Sequence, residues 1–197
     1  MARPRRFDEQ MVLDSAIELF WSKGFDAASI EDISKSTGVG NGSIYAAYGN
    51  KLGLFLAAFE RYCERRARFI EEVVMSADGS ARDAVGNFFE AVVADCASQP
   101  ARRGCLMINS MAELGHRVPE VVTISGAATG RMEKSLADRL RKAGGKSVKE
   151  RELSALCAHL VLVSQGLIQL SRLGVPSERL REIADVSRAS LPAYAGA

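Results

Sequence analysis

Apolar residues recur at intervals of three and four along most of the chain, which is the pattern of amphipathic helices. In residues 8–23 this apolar stripe consists of Leu13, Ala16, Ile17, Phe20 and Trp21. Further helices are predicted over residues 51–75, 80–97, 105–114, 119–143, 149–173 and from 177 onward. The chain shows neither the apolar–polar alternation of strands nor an internal repeat. The sequence therefore predicts an all-α protein.

Two short helices joined by a glycine turn are predicted over residues 29–48. Ser29 can cap the first helix, and Gly38 ends it where a positive φ angle is expected. Ile44 lies on the inner side of the second helix. Its outward side carries small, hydrogen-bonding and aromatic residues, namely Asn41, Gly42, Tyr45 and Ala46. A short helix with such an exposed face, held by a helix-turn-helix, suits the major groove of DNA.

The charge of the chain is nearly balanced, with a net charge of +2 over 197 residues and a pI near 8.4. Such a balance excludes a general polyanion binder, so any DNA affinity must come from a small basic footprint. The arginines of the N-terminal arm, Arg3, Arg5 and Arg6, are suited to a phosphate backbone or a minor groove. The alternative is that this arm is a solvated tail.

Membrane, metal and cofactor sites are not expected from the sequence. The apolar run at residues 160–170 is interrupted by polar residues, and no apolar signal segment follows the N-terminal arginines. We therefore expect a cytoplasmic protein without a membrane partner. The four cysteines, at positions 63, 96, 105 and 157, have no metal-ligand spacing, and both histidines stand alone. Reduced thiols, no metal site and no cofactor are predicted.

The helix-turn-helix stretch resembles the DNA-binding domain of the TetR/AcrR (tetracycline-repressor) family. The residues that agree in register are Ser29-Ile30-Glu31-Asp32-Ile33, Gly38-Val39, Gly42-Ser43-Ile44-Tyr45, Tyr48, Lys51 and Leu54-Phe55. The resemblance covers about residues 10–56, and the remainder matches only in layout. It implies a helix-turn-helix DNA-binding domain in residues 1–52 and a helical effector-binding and dimerisation domain in residues 53–197.

The same resemblance implies a homodimer that binds a palindromic double-stranded operator, usually as a repressor that a small molecule releases. Carried over by position, Ser29, Tyr45 and Lys51 contact phosphate, whereas Asn41, Gly42 and Ser43 reach the groove. With the arm included, the predicted DNA-binding residues are Arg5, Arg6, Ser29, Asn41, Gly42, Ser43, Tyr45 and Lys51.

The chain departs from the family pattern on the outward face of the second short helix. The turn position often held by serine is Gly40, and Asn41 stands where a basic residue is common. Ala46 and Ala47 occupy positions where the family often has histidine. The operator sequence therefore cannot be borrowed from relatives, although an asparagine can pair bidentately with adenine.

The long apolar helix at residues 149–173 and the last helix are predicted to form a four-helix dimer interface, because symmetric half-sites require a dimer. Ser164 and Gly166 would permit close approach of two helices. The alternative is an intramolecular core helix. The predicted interface residues are Leu156, Leu160, Ser164, Leu167, Ile168, Leu180 and Ile183.

An unidentified small-molecule effector is predicted to bind an apolar pocket, although methionine is also common core filler. The predicted lining residues are Phe88, Phe89, Met107, Met111 and Met132. Cys105 follows two arginines near a helix N-terminus, where the dipole and the cations favour a thiolate. We therefore name Cys105 as a candidate redox or electrophile sensor. The alternative is an inert buried thiol.

Two other classes of function remain open from the residues. One is an enzyme with Cys105 as its nucleophile, but no histidine or acid stands at a spacing that would activate it. The other is an architectural or activating DNA-binding protein that needs no effector. We predict a DNA-binding transcriptional regulator that is not an enzyme.

Overall fold

The computed structural model describes residues 7–76, 78–99, 101–144 and 149–191. These residues form the helices α1 (Glu9–Ala27), α2 (Ile30–Thr37), α3 (Asn41–Tyr48), α4 (Lys51–Ser76), α5 (Ala81–Ala97), α6 (Leu106–Leu114), α7 (Pro119–Gly144), α8 (Glu150–Arg172) and α9 (Ser177–Ala189). No strand occurs in the described ranges. The prediction of an all-α fold is confirmed.

Side-chain caps and glycines set the ends of the first helices. The Asp8 carboxylate accepts the first free amides of α1. Gly24, with φ 77° and ψ 173°, interrupts α1 near its C-terminus. The Ser29 hydroxyl accepts the amide of Asp32 at 3.1 Å, and Gly38 ends α2 in the left-handed conformation. The predicted helix-turn-helix boundaries are confirmed.

Two compact units make up the described chain. The first draws on Met1–Arg65 and Cys105–Ser125, and the second on Arg66–Gly104 and Gly126–Ala197. Helix α6 packs against α1 within the first unit, although it lies far along the chain. These units differ from the predicted division at residues 52 and 53, which remains a prediction about function.

Aromatic rings form the core beneath the helix-turn-helix. Phe55 of α4 meets Phe20 edge-on at 5.1 Å between ring centroids, Phe25 at 5.2 Å, and Phe59 in a stack at 5.4 Å. Helix α2 packs on α1 and α3 packs on α2. The fully buried Ile44 anchors α3, so the opposite side of this short helix is left outside the core.

After the interruption at Gly24, the last residues of α1 and the link to α2 form a turn over residues 24–28, which two charged side chains hold from outside. The Lys51 ammonium donates hydrogen bonds to the carbonyl oxygens of Phe25 at 2.9 Å, Asp26 at 3.2 Å and Ala28 at 3.1 Å. The Glu113 carboxylate of α6 accepts the amides of Phe25 at 2.9 Å and Asp26 at 3.2 Å. Together, Lys51, Glu113 and this turn are called the turn clamp below.

The turn clamp gives Lys51 partners within the protein. An ammonium group has three donors, and the three carbonyl oxygens of the turn accept all of them. The ammonium also lies 4.5 Å from the centroid of the Phe25 ring. Lys51 thus holds the turn in this structure, and its predicted phosphate contact stays a prediction.

Helices α5, α8 and α9 pack together in the second unit. Seven residues of α8 are buried there, and they include much of the predicted dimer interface. The predicted interface residues that lie in the protomer's own core are Leu160, Ser164, Leu167, Ile168 and Leu180. Leu156 and Ile183 are half-buried. These five side chains are already buried within one protomer and therefore offer little surface to a partner.

Among the described helices, α8 is long and apolar enough to cross a membrane by length and composition alone. The expectation that no segment meets this criterion is therefore wrong. A core helix passes the same test, and the packing of α8 against α5 and α9 favours that interpretation.

We predict that Lys51→Met lowers the free energy of unfolding by about 1–3 kcal/mol, because three carbonyl oxygens lose their donor while the apolar stem is retained. Urea denaturation measures the loss. Lys35→Met is the matched control, since Lys35 is 71% exposed and paired with Glu31 on the same helix, and we expect it to change stability by less than about 0.5 kcal/mol.

The same variant separates the two roles of Lys51 on duplex DNA. Removal of a phosphate contact reduces the slope of log affinity against log salt by about one. If Lys51 only fixes the turn, Lys51→Met leaves this slope unchanged. If Lys51→Met left the stability unaltered and reduced the slope of log affinity against log salt, the proposed role of Lys51 in the turn clamp would be wrong.

Candidate nucleic-acid interface

Helix α3 presents a nearly bare outward face. Its residues two before and two after the buried Ile44 are Gly42 and Ala46, and both are exposed. Positions two apart lie about 160–200° apart around a helix, so these two residues form the centre of the outward face. Tyr45, which is 50% exposed, and the exposed Ser43 flank them. The surface is narrow, uncharged and open to a partner.

Asn41 begins α3 directly after its N-cap, Gly40, and its side chain is exposed. The N-terminal residues of a recognition helix are the ones that reach base edges. Asn41, Gly42, Ser43 and Tyr45 are thus placed together on one short helix. Their contacts with DNA remain predictions.

Ser29 is used within the protein as the cap of α2. A hydrogen bond from its side chain, supported by Lys23, lowers the pKa of the Asp32 carboxyl below its usual range. Its predicted phosphate contact stays a prediction. The predicted contacts of Arg5 and Arg6 fall outside the described residues.

The lysines of the described helix-turn-helix are all engaged with other groups of the protein. Lys23 lies 3.2 Å from Asp32, and Lys35 lies 2.8 Å from Glu31. Lys51 belongs to the turn clamp. No arginine occurs between residues 7 and 60. Each of these three lysines therefore has a carboxylate or carbonyl partner within the protein.

Two arginines of α4 form ion pairs with α1. Arg61 and Arg65 bind the Asp14 carboxylate at 3.0 Å and 2.7 Å. The hydrogen bond from Arg61, more than any other contact, holds the pKa of the Asp14 carboxyl below its usual range. Arg66 similarly pairs with Asp95 at 2.7 Å. These three arginines therefore form ion pairs between helices.

Sequence reasoning missed Glu113, Arg117 and Tyr62. Glu113 lies 88 residues from Phe25, so no local pattern announces the contact between them. Arg117 pairs with Asp26 of the same turn at 2.7 Å. The segment around α6 thus holds the turn that precedes the helix-turn-helix.

Cys105 is the N-cap of α6 and is 4% exposed. The Tyr62 hydroxyl donates a hydrogen bond to its sulfur at 3.4 Å and accepts the Leu106 amide at 3.3 Å. Burial, with a smaller contribution from Cys105, raises the pKa of the neighbouring Cys63 thiol. The predicted helix-start position of Cys105 is confirmed, and its reactivity remains a prediction.

The residues predicted to line an effector pocket fall in different units. Met107 and Met111 belong to the first unit. Phe88, Phe89 and Met132 belong to the second, where the two phenylalanine rings lie 5.1 Å apart. A cavity of about 280 Å³ between α5 and α9 includes Phe89, but most of its lining is charged or polar. The grouping of the five residues stays a prediction.

Comparisons with known proteins agree with this arrangement. Residues 12–58 match the sequence model of the bacterial regulatory proteins of the tetR family. The HTH-type transcriptional repressor ComR of Escherichia coli K12 is 30% identical over 184 residues, which span 92% of this chain and 88% of ComR. YezE of Bacillus subtilis 168, an HTH-type transcriptional regulator, is 28% identical across 95% of this chain and 97% of its own length.

A solved structure shows a similar fold on DNA. It contains a cysteine mutant of the TetR family transcriptional regulator CifR, complexed with a 26-bp double-strand operator. The TM-score is 0.76 at 28% identity, and the match covers 96% of this chain and 100% of that one. Together with the exposed recognition helix, these matches establish the family. The chain belongs to the TetR family of bacterial DNA-binding transcriptional regulators.

Proposed function

We propose that this regulator is a homodimeric repressor that binds a palindromic operator in the cytoplasm and leaves it when an effector binds. The outward face of α3, which is exposed and free of charge, is the observation that carries the proposal. The relative ComR is a transcriptional repressor, which supports repression rather than activation. The complex of CifR with operator DNA supports operator DNA as the partner.

The proposed dimer uses the outer face of α8 and α9. Leu162 is 67% exposed, Leu173 80% and Val186 71%. Gly166 is also exposed, and a Cβ atom there would meet nothing within 4 Å. Exposed large apolar side chains beside a helical glycine are typical of a surface that another helix covers. We propose this face in place of the buried residues that the sequence suggested.

The effector is proposed to be a small molecule or a thiol-reactive compound. The Tyr62 hydroxyl donates a hydrogen bond to the Cys105 sulfur at 3.4 Å, which connects this thiol to a neighbouring helix. Tyr62 lies on α4 and Cys105 caps α6. A covalent change at this sulfur would alter the contact between these two helices inside the DNA-binding unit.

We expect selected duplexes to show one preferred palindrome with a dimer footprint, and two variants to separate the roles on α3. Tyr45→Ala should weaken binding to all duplexes similarly, because it removes a phosphate contact. Asn41→Ala should relax preference at one base pair by about 1–3 kcal/mol, because a base contact is lost. Titration of duplex panels at fixed salt measures both.

Asn87→Ala is the control for these titrations, since Asn87 is also an exposed asparagine but lies on α5. It should leave affinity and preference unchanged. If the protein has no preferred duplex, the proposal of an operator-binding repressor is wrong.

A charge on the outer face of α8 should separate the protomers. Leu162→Glu places a carboxylate in the proposed interface, so we expect sedimentation to report a monomer and operator affinity to fall by at least tenfold. Val122→Glu is the matched control, because Val122 is a 45% exposed apolar residue of α7. A dimer that survives Leu162→Glu would place the interface elsewhere.

If the effector is a thiol-reactive compound that acts on Cys105, a mild electrophile should release the operator from the wild type and not from Cys105→Ser. Cys157→Ser serves as the control, because burial raises the pKa of the Cys157 thiol to about 12 and keeps it unreactive near neutral pH. Operator release is followed by fluorescence anisotropy. Equal release from wild type and Cys105→Ser would leave only a non-covalent effector.

A further inference from the structure

The centre of the α3 face consists of one methyl group and bare backbone. Ala46 contributes the methyl group, and Gly42 contributes no side chain. Both residues lie opposite the buried Ile44, which fixes the rotation of α3 on the core. A partner that covers the centre of this face therefore contacts these two positions.

The protein's own packing does not require glycine at position 42. A Cβ atom there would meet nothing within 4 Å. Glycine inside a helix costs about 0.5–1 kcal/mol relative to alanine. Gly53 is different, because a Cβ atom there would collide with the carbonyl oxygen of Tyr48. The absence of a side chain at Gly42 would let a partner surface approach the backbone of α3 closely.

Arginine and lysine, the residues that most often contact guanine, are absent from α3. The helix carries no charged side chain. The nearest lysines of the helix-turn-helix are paired with Asp32, with Glu31 and with the carbonyl oxygens of the turn clamp. The feature that a lone alanine methyl can recognise in the major groove is the C5-methyl group of thymine.

We infer that α3 reads an A·T base pair at the centre of each half-site, with the Ala46 methyl group against the thymine methyl and with Gly42 allowing the helix backbone to approach. This inference rests on the proposed operator binding, and it names the class of base that the operator must present. The amide of Asn41 lies at the start of the same helix, where it is suited to a neighbouring adenine.

Single thymines of the selected operator are replaced by deoxyuridine, which removes only the methyl group. At one symmetric thymine we expect affinity to fall about fourfold per half-site, which corresponds to one buried methyl group. Ala46→Gly should weaken binding to the thymine operator by a similar factor and should then bind the thymine and uracil duplexes equally. Ala47→Gly carries the same helix cost, and it should keep the sensitivity to uracil.

The room at Gly42 is tested separately. Gly42→Ala should raise thermal stability, as a helical glycine-to-alanine change does, and lower operator affinity at least tenfold because the added methyl group holds α3 away from the groove. Gly126→Ala is the matched control: Gly126 is exposed on α7 with nothing within 4 Å of its Cβ position, so stability should rise while affinity stays.

Distinct outcomes overturn the inference and the function beneath it. A preferred palindrome that tolerates uracil at every thymine, or an Ala46→Gly variant that keeps full sensitivity to uracil, overturns the methyl contact and leaves the repressor proposal intact. Unchanged operator affinity in Gly42→Ala overturns the close approach of the helix. The absence of any preferred duplex overturns both proposals.

Discussion

The position of the helix-turn-helix depends on the turn between α1 and α2, and this turn depends on two opposite charges. Its carbonyl oxygens face the ammonium of Lys51, and its amides face the carboxylate of Glu113. Hydrogen bonds with one charged partner are stronger than neutral ones, so the three carbonyl oxygens and two amides that these side chains engage are well satisfied. Gly24 makes the arrangement possible, because it has φ 77° and a Cβ atom there would crowd the Glu113 carboxylate.

Short-range features of the fold could be predicted from the sequence. The cap at Ser29, the glycine end of α2 and the inner position of Ile44 each follow from residues a few positions apart, and the structure has all of them. The recurrence of apolar residues at every third or fourth position also predicts α8 as a long apolar helix.

Features that depend on distant segments could not be predicted. An apolar stripe shows which side of α8 is buried but not what buries it, so Leu160 and Leu167 were assigned to a second protomer when α5 and α9 cover them. The sequence likewise shows a lysine at the start of α4 but not the carbonyl oxygens that accept its hydrogen bonds. The partners of Lys51 are 23 to 26 residues away, and Glu113 is farther still.

The sequence order of the DNA-binding unit has a consequence for how such regulators are taken apart and recombined. Residues 105–125 belong to this unit, yet they are separated from Met1–Arg65 by a stretch that packs elsewhere. The unit is therefore discontinuous and not an exchangeable cassette. A chimera that joins the first 52 residues to a foreign sensing domain would leave the amides of Phe25 and Asp26 without their carboxylate, unless the foreign domain supplies an acid at the place of Glu113.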